Sequence, residues 1–472
     1  MSLKRYVSSL FRKWAQELEK PPKKESFLNK KIPLPKWALT GVVFLCLVVA
    51  ILMEVGISKK HFLFAFLFSG IWSFYTTLYF EIDTEIRESQ FFLIVLMFIF
   101  FILGTQFIIS KNPTMFLLIT PAVVSIVKFL VTKRAALFTT IATSLIASVL
   151  YQMDFSVFFI SFASGIGALA FPHKVIKRSD IFLNGISIFV FMLVGVLCLH
   201  LFGVRQNVFF IIDIQNTIFT SLGAAIFVMA FLPVFEGLLG LTSDIRLVEL
   251  GDFNRPLLKR LMEEAPGTYH HSLMVATLSE AAATAIGANG LLARVGAYYH
   301  DIGKIKKPQY FVENQTSENR HEKLKPEMSA LIILSHVKEG ILLANQYGLD
   351  ECIKDFISQH HGTSVIQYFY KKASNSSPQD ESTYRYPGPL PQTKETAIVM
   401  LADSVEAATR ALDEPDYERI REVVNKIINN YFVTGQLNEC PITLKNLQKI
   451  SEVFTKTIMS IHHTRIEYPD SK

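Results

Sequence analysis

Between Trp37 and Glu236 the chain is a succession of apolar stretches, each long enough to cross a bilayer as a helix. They lie near 37–55, 61–80, 91–110, 114–132, 136–152, 155–171, 181–203 and 215–236. The fourth to sixth are short and closely spaced, which leaves room for one to be re-entrant or merged with a neighbour. A backbone in hydrocarbon must satisfy its own N–H and C=O groups, so this half of the chain is expected to be a polytopic bundle of about eight helices. Composition agrees: half of the 472 residues are apolar, and the 39 phenylalanines crowd into the first half. Charges inside the spans reduce to Lys128 and Glu236, which snorkelling from a helix end and the inner boundary account for.

Charge outside the spans sets the expected orientation. Residues 1–36 form a basic arm, with Lys4, Arg5, Arg12, Lys13, Lys23, Lys24, Lys30, Lys31 and Lys36. Phe11 to Leu18 suit either a short helix on the bilayer surface or a disordered tail. With an even number of crossings, the arm, the loops at Lys133-Arg134 and Lys174 to Arg178, and the C-terminal half all fall inside. Lys59, Lys60, Lys111 and Arg205 fall outside and weaken that assignment without reversing it. The net charge of +6 reports topology and anionic lipid, and DNA or RNA is not an expected partner. Cys46, Cys198, Cys352 and Cys440 form no CxxC pair, so a disulfide framework is not expected and the soluble half should face a reducing compartment. The first apolar run begins only near Trp37 and lacks a small-residue cleavage site, unlike a signal peptide.

Past Leu241 the composition turns mixed and polar. Residues 241–266 read as a connecting helix interrupted at Pro256 and stopped at Pro266-Gly267, either a spacer or a lever. Helical periodicity then dominates 267–472, with helices expected near 270–286, 290–301, 327–347, 350–361, 392–412, 415–434 and 444–463. The second domain is therefore all-α, like the first.

This domain carries a row of metal-ligand residue types: His271, the pair His300-Asp301, His336, the pair His360-His361, and Asp403. Each alone has an ordinary structural explanation; their order, each on a helix or at its end, points to a metal site. Nitrogen and oxygen donors without a cysteine favour iron or manganese over a structural zinc knot. Adjacent residues on a helix diverge by about 100°, so each adjacent pair suits two ions better than one. The expected sets are His271, His300, Asp301 and Asp403 on one divalent ion, and Asp301, His336, His360 and His361 on the other. Two ions about 3.5–4 Å apart can activate a bridging water for phosphoryl displacement. Lys304, one turn past Asp301, is either a phosphate ligand or a solvated lysine. In the loop from Lys371 to Gln392, Tyr384, Arg385 and Tyr386 could offer a nucleotide a stacking face and a phosphate partner. His270 is expected to face away from His271, His321 to lie outside the ligand set, and His462-His463 to lie at the surface.

HDIGK in this setting resembles the HD phosphohydrolase superfamily. The phrases ELGDFNRPLLKRLMEEAPGTYHHSLMVA, RVGAYYHDIGKIKKPQYFVENQ and RYPGPLPQTKETAIVMLADSVEAATR, preceded by a membrane bundle, resemble the seven-transmembrane HD proteins of the PgpH type. The resemblance covers most of 37–465 and is densest over 245–412. It implies a transmembrane bundle at 37–240 followed by an α-helical HD domain at 267–472 in the cytosol, at the bacterial inner (cytoplasmic) membrane. It also implies a binuclear iron or manganese site opening cyclic di-AMP to pApA, with Asp301 and Lys304 in the chemistry. The expected partners are the bilayer, the cyclic dinucleotide and a second copy of the chain if it dimerises. Cyclic di-GMP is the nearest rival substrate, but HHGTSVIQYFY lacks the GYP phrase of the branch specialised for it. A guanosine tetraphosphate hydrolase would need fewer ligands. A binding or scaffolding module that has lost catalysis, and a transporter, are the readings from other classes. Family members typically insert a large extracytoplasmic domain after their first membrane helix, whereas here only a few residues near Ser58 to His61 occupy that place.

Overall fold

The computed structural model describes residues 88–111, 118–171, 177–315, 319–375, 380–412 and 416–462. The basic arm, the first two apolar stretches and the short link at Ser58 to His61 lie outside the described residues. Residues 85–472 form one compact unit. Among the described residues the regular structure is helical, and the one β-bridge is an isolated pair, Val365 with Arg385.

Six apolar helices come first: α1 Glu88–Lys111, α2 Thr120–Leu130, α3 Lys133–Leu150, α4 Phe155–Ala170, α5 Arg178–Leu201 and α6 Phe210–Leu239. They match the six expected stretches from 91 onward. Four of them, α1, α3, α5 and α6, are long and apolar enough to cross a membrane. At 1.5 Å per residue the 11 residues of α2 and the 16 of α4 fall short of a hydrocarbon core of about 30 Å. Polar caps cut the chain here: Thr132 accepts from the N–H of Ala135 at the start of α3, and Asp154 from that of Ser156 at the start of α4. Inside the bundle, small and hydroxyl residues let helices approach closely. Thr120 and Ser161 are 2.6 Å apart, Asn184 donates to Ser125, and Ser187 donates to the carbonyl of Gly167.

Lys128 corrects the snorkelling expectation. It is fully buried, and its Nζ donates at 2.7 Å to the carbonyl of Ala168. That carbonyl belongs to the last turn of α4, where a helix leaves acceptors unpaired, and Lys128 faces it across the α2–α4 contact. Glu236 lies near the end of α6 as expected, and its Oε1 accepts from the N–H of Ser243.

The connecting segment is two short helices, α7 Asp244–Leu250 and α8 Pro256–Glu264. The connecting segment stops just before Pro266, as expected, and Pro266 itself opens α9, Pro266–Ala285, where a proline's missing N–H costs nothing. The rest of the domain is α10 Gly290–Tyr299, α11 Pro326–Gln346, α12 Glu351–Gln359, α13 Gln367–Ser374, α14 Lys394–Arg410, α15 Tyr417–Val433 and α16 Leu444–His462. One core joins α9, α10, α14, α15 and α16 through Val275, Leu278, Ala297, Leu401, Val424 and Phe454. A second joins α7, α8, α10, α11 and α12 through Leu250, Leu261, Tyr299, Leu343 and Ile357. The seven candidate ligand residues sit where these two cores meet.

Candidate metal centre

Helix α10 ends at Tyr299, whose buried hydroxyl donates at 2.7 Å to the carbonyl of Leu250 and fixes the helix end against α7. His300 and Asp301 follow at once, and a 3₁₀ turn over Ile302–Lys306 carries the chain away. Gly303 lies so close to α11 that an added Cβ would stand 1.8 Å from the carbonyl oxygen of His336. The glycine therefore lets the turn touch α11, and it brings Asp301 Oδ1 within 3.3 Å of His336 Nε2. Helix α12 ends just before His360, and Gly362 takes the left-handed conformation (φ +51°) that turns the chain after His361. Helix α9 supplies His271 and α14 supplies Asp403.

The ligand atoms gather into two groups, His271, His300, Asp301 and Asp403, and Asp301, His336, His360 and His361. Within each group they lie within 4.8 Å of one another, and Asp301 is common to both. His271, His300, Asp301, His336 and His360 are almost wholly buried, and Asp403 nearly so. His361 is the most open of the set, with its side chain 19% exposed.

Which nitrogen each ring offers follows from what the other is bound to. A carbonyl can only accept, so His300 donates from Nδ1 to Ala297, His336 to Ile333, and His360 to Phe356 and Ile357. Each then presents Nε2 inward. His336 Nε2 and His360 Nε2 face each other at 3.3 Å, and His300 Nε2 and Asp301 Oδ1 are buried without a hydrogen-bond partner. Two imidazole lone pairs and an orphaned carboxylate oxygen pointing at one space repel each other unless a cation lies between them. The residues present fit a metal ion.

Electrostatics divide the centre. Burial outweighs the pull of Asp301 and lowers His336 to about 4, and burial likewise holds His361 well down. Those rings are neutral and ready to ligate. Burial also opposes charge on His271 and His300, but the carboxylates beside them win. Asp403 and Glu406 raise His271 to about 9, and Asp301 and Asp403 raise His300 to about 10. Against the cost of burial, Lys304 and His300 hold Asp301 well below the carboxylate range, as His271 and His300 hold Asp403. A divalent ion binding there takes the place of protons.

Lys304 is not a solvated lysine. Its Nζ is 2.6 Å from Asp301 Oδ2 and 2.8 Å from Glu313 Oε1. Tyr386 is buried and stacks on His361 with ring centroids 4.1 Å apart. Tyr384 corrects the expectation of a stacking face. It is fully buried, closing the 3₁₀ turn Glu381–Tyr384 and packing with Ala330, Phe369 and Ala373 away from the donor groups. Arg385 is exposed and holds Glu381 and the carbonyl of Thr363. His270 is exposed, and buried His321 is tied to the carbonyl of Tyr310. His462 closes α16, and His463 lies outside the described residues.

Two residues carry more than their sequence suggested. Glu406 receives His271 Nδ1 at 2.5 Å, so the ring's Nε2 points at Asp403 and Asp301. It lies three residues past Asp403, on the same face of α14, and that spacing was the available signal. Glu313, which pairs with Lys304 and accepts from Thr268 Oγ1, arrives from a loop with no periodicity to reveal it.

Residues 60–243 match the family described as 7TM receptor with intracellular HD hydrolase, and residues 268–408 match the HD domain. The chain is 40% identical over 368 residues to the cyclic-di-AMP phosphodiesterase PgpH of Bacillus subtilis (strain 168), covering 73% of this chain and 50% of that protein. It is 39% identical over 402 residues to the protein of the same name from Listeria monocytogenes serotype 1/2a (strain 10403S), covering 83% and 55%. The chain thus spans about half the length of the curated relatives it matches. Among solved structures, the HD domain of L. monocytogenes PgpH in complex with cyclic-di-AMP is 49% identical, covers 44% of this chain and 99% of that one, and has a TM-score of 0.44. Apolar helices that match the one family, followed by a domain that matches the other, make the chain a multi-pass membrane protein of the seven-transmembrane HD-hydrolase family.

Proposed function

We propose that the protein is a membrane-anchored, metal-dependent phosphodiesterase that opens cyclic di-AMP to linear pApA, working with two divalent cations, manganese or iron. One observation carries the reading: Asp301 belongs to both donor groups, so its two oxygens stand between the His271–His300–Asp403 side and the His336–His360–His361 side. A pair of divalent ions supplies an activated water and neutralises charge developing on the phosphate. The remaining work falls to the chain. The backbone carbonyls that hold Nδ1 of His300, His336 and His360 keep those rings from turning, and burial keeps bulk water out. Lys304 holds a positive charge beside Asp301, where it would offset negative charge on a bound phosphate. Tyr386, stacked on the most open ligand, forms a wall on the side where substrate enters, and Arg385 can exchange Glu381 for a phosphate.

The two named phosphodiesterases similar to this chain support the substrate assignment. Support for a cytosolic HD domain at the bacterial cytoplasmic membrane comes from charge. Arg178, at the start of α5, pairs with Glu249 of α7, so a basic helix end of the bundle faces the HD side, as an inner face requires. All seven donors come from one chain, so a homodimer is not needed to complete the centre. The test is the full chain in detergent with manganese and cyclic di-AMP, followed by product analysis. Release of pApA is the expected result. Tight binding without turnover would make this a binding module, and preferential cleavage of cyclic di-GMP would overturn the substrate assignment.

A further inference from the structure

Helix α12 begins on one of the residue types best suited to cap it, yet that residue does not cap it. Asp350 has the extended backbone of an N-cap (φ −65°, ψ 149°), but its carboxylate accepts nothing from the first turn of α12. An aspartate there ordinarily takes one of the free N–H groups and stabilises the helix. Here Oδ2 accepts instead from Thr242 Oγ1 at 2.9 Å, and Oδ1 from Arg246 Nη2 at 3.1 Å.

Both donors belong to the segment that leaves the membrane. Gly240 ends α6 in the left-handed conformation. Ser243 then donates its N–H to Glu236 in the last turns of α6, and its hydroxyl caps α7 by accepting from the N–H of Arg246. A continuous set of bonds therefore runs from the last described apolar helix to the N-cap of α12. At its other end, α12 delivers His360 and His361. Its nine residues place those ligands roughly 13 Å from the junction along a rigid rod.

We propose that Asp350 is a positioning residue. Its pair with Arg246 holds α12 where His360 and His361 meet Asp301 and Asp403, so the end of the bundle sets one half of the metal centre. Asp350 also has somewhere else to go. A cavity of about 290 Å³, bordered by Arg178, Glu236 and Glu249, adjoins the pair and leaves the carboxylate room to move if Arg246 withdraws. A side chain held by one pair beside open space makes an element that a movement of α6 can bias. The inference rests on the two-ion reading, because α12 supplies ligands to only one of the two donor groups.

The test uses the full chain in detergent and reads bound manganese per chain together with backbone hydrogen exchange in α12 and α9. Arg246→Ala is expected to speed exchange in α12 about fivefold, leave α9 unchanged, and lower bound manganese from about two ions to about one. Arg246→Lys should restore most of both. Asp350→Asn keeps a capping acceptor but loses the ion pair, and should give the same contrast in a protein less prone to unfold. Wild-type exchange and metal content in Arg246→Ala or Asp350→Asn would overturn the proposal, as would exchange raised equally in α9 and α12. A wild-type chain that binds a single ion would refute the two-ion reading, while the exchange contrast would still decide the role of Asp350.

Discussion

Replacing Gly303 by alanine tests whether the contact between the HDIGK turn and α11 builds the centre. The new Cβ would lie 1.8 Å from the carbonyl oxygen of His336 and 2.6 Å from the backbone nitrogen of Gly340. Carbon contacts are comfortable only at about 3.5–4.0 Å, so the turn and the helix must part by roughly 1.5–2 Å. Asp301 Oδ1 and His336 Nε2 now stand 3.3 Å apart. The same parting takes them to about 5 Å, beyond the ~4 Å that one ion can span with two bonds of about 2.0–2.2 Å. Overpacking ordinarily costs about 1–3 kcal/mol because side chains give way. Here the obstacles are backbone, so a cost of at least about 3 kcal/mol is expected, which lowers Tm by about 6–12 °C for a domain of this size. Gly340→Ala is the control: its Cβ meets the Cγ2 methyl of Ile357 at 2.7 Å, a side chain rather than backbone, so a shift of a few tenths of an ångström relieves it. It should cost about 1 kcal/mol and keep the metal. The assay is thermal denaturation with metal analysis of both variants. A Gly303→Ala protein that holds its metal and melts with Gly340→Ala would refute the reasoning.

Four further outcomes follow from the geometry. Glu406→Ala removes the acceptor that fixes the His271 ring, and should weaken manganese affinity about 10–100-fold by titration while the fold survives. Lys304→Met should retain bound metal but lower turnover of cyclic di-AMP by about 10²-fold, as loss of a charge-stabilising donor does elsewhere. Chelation should lower Tm by an amount that grows with prior metal concentration. At 100 times Kd that amount is about 2.7 kcal/mol of stability, read by denaturation with and without chelator. Tyr299→Phe leaves the carbonyl of Leu250 without its buried donor and should cost about 1–3 kcal/mol in denaturant unfolding, with metal binding weakened only if α10 shifts.

Much of the architecture was legible because its signals are local. The six described apolar helices are runs of hydrophobic residues, and the helices of the second domain follow their periodicity to within a few residues, except α13, which no expected helix covered. Where the reading failed, tertiary contact decided. Lys128 looked like a lysine reaching for the interface, and only the neighbouring end of α4 offers it a carbonyl. Pro266 follows a helix stop, as read, but it also starts α9 four residues before the expected 270, since a proline suits either side of a helix boundary. Tyr384 and Tyr386 are two residues apart and similar in chemistry. One is buried beneath α11 and α13, and the other lies against His361, because the turn at Glu381–Tyr384 separates their surroundings.

The candidate ligand row is arranged by a physical device that the sequence shows only in part. His300 and His360 follow the last residues of α10 and α12, where helices leave carbonyls unpaired, and each ring spends its Nδ1 on one of them. A histidine at a helix end can thus be locked by its own helix, with no further partner needed. His336 uses the same device inside α11, sharing the carbonyl of Ile333, whereas His271 has no such bond and borrows Glu406 from α14. The three self-locked rings depend only on their own helices. The fourth depends on two helices staying in register, so it is the ligand most exposed to any loosening of the α9–α14 contact. Glu406→Ala should therefore weaken the metal site more than an apolar substitution of similar size elsewhere along that contact, even if both cost the fold the same stability.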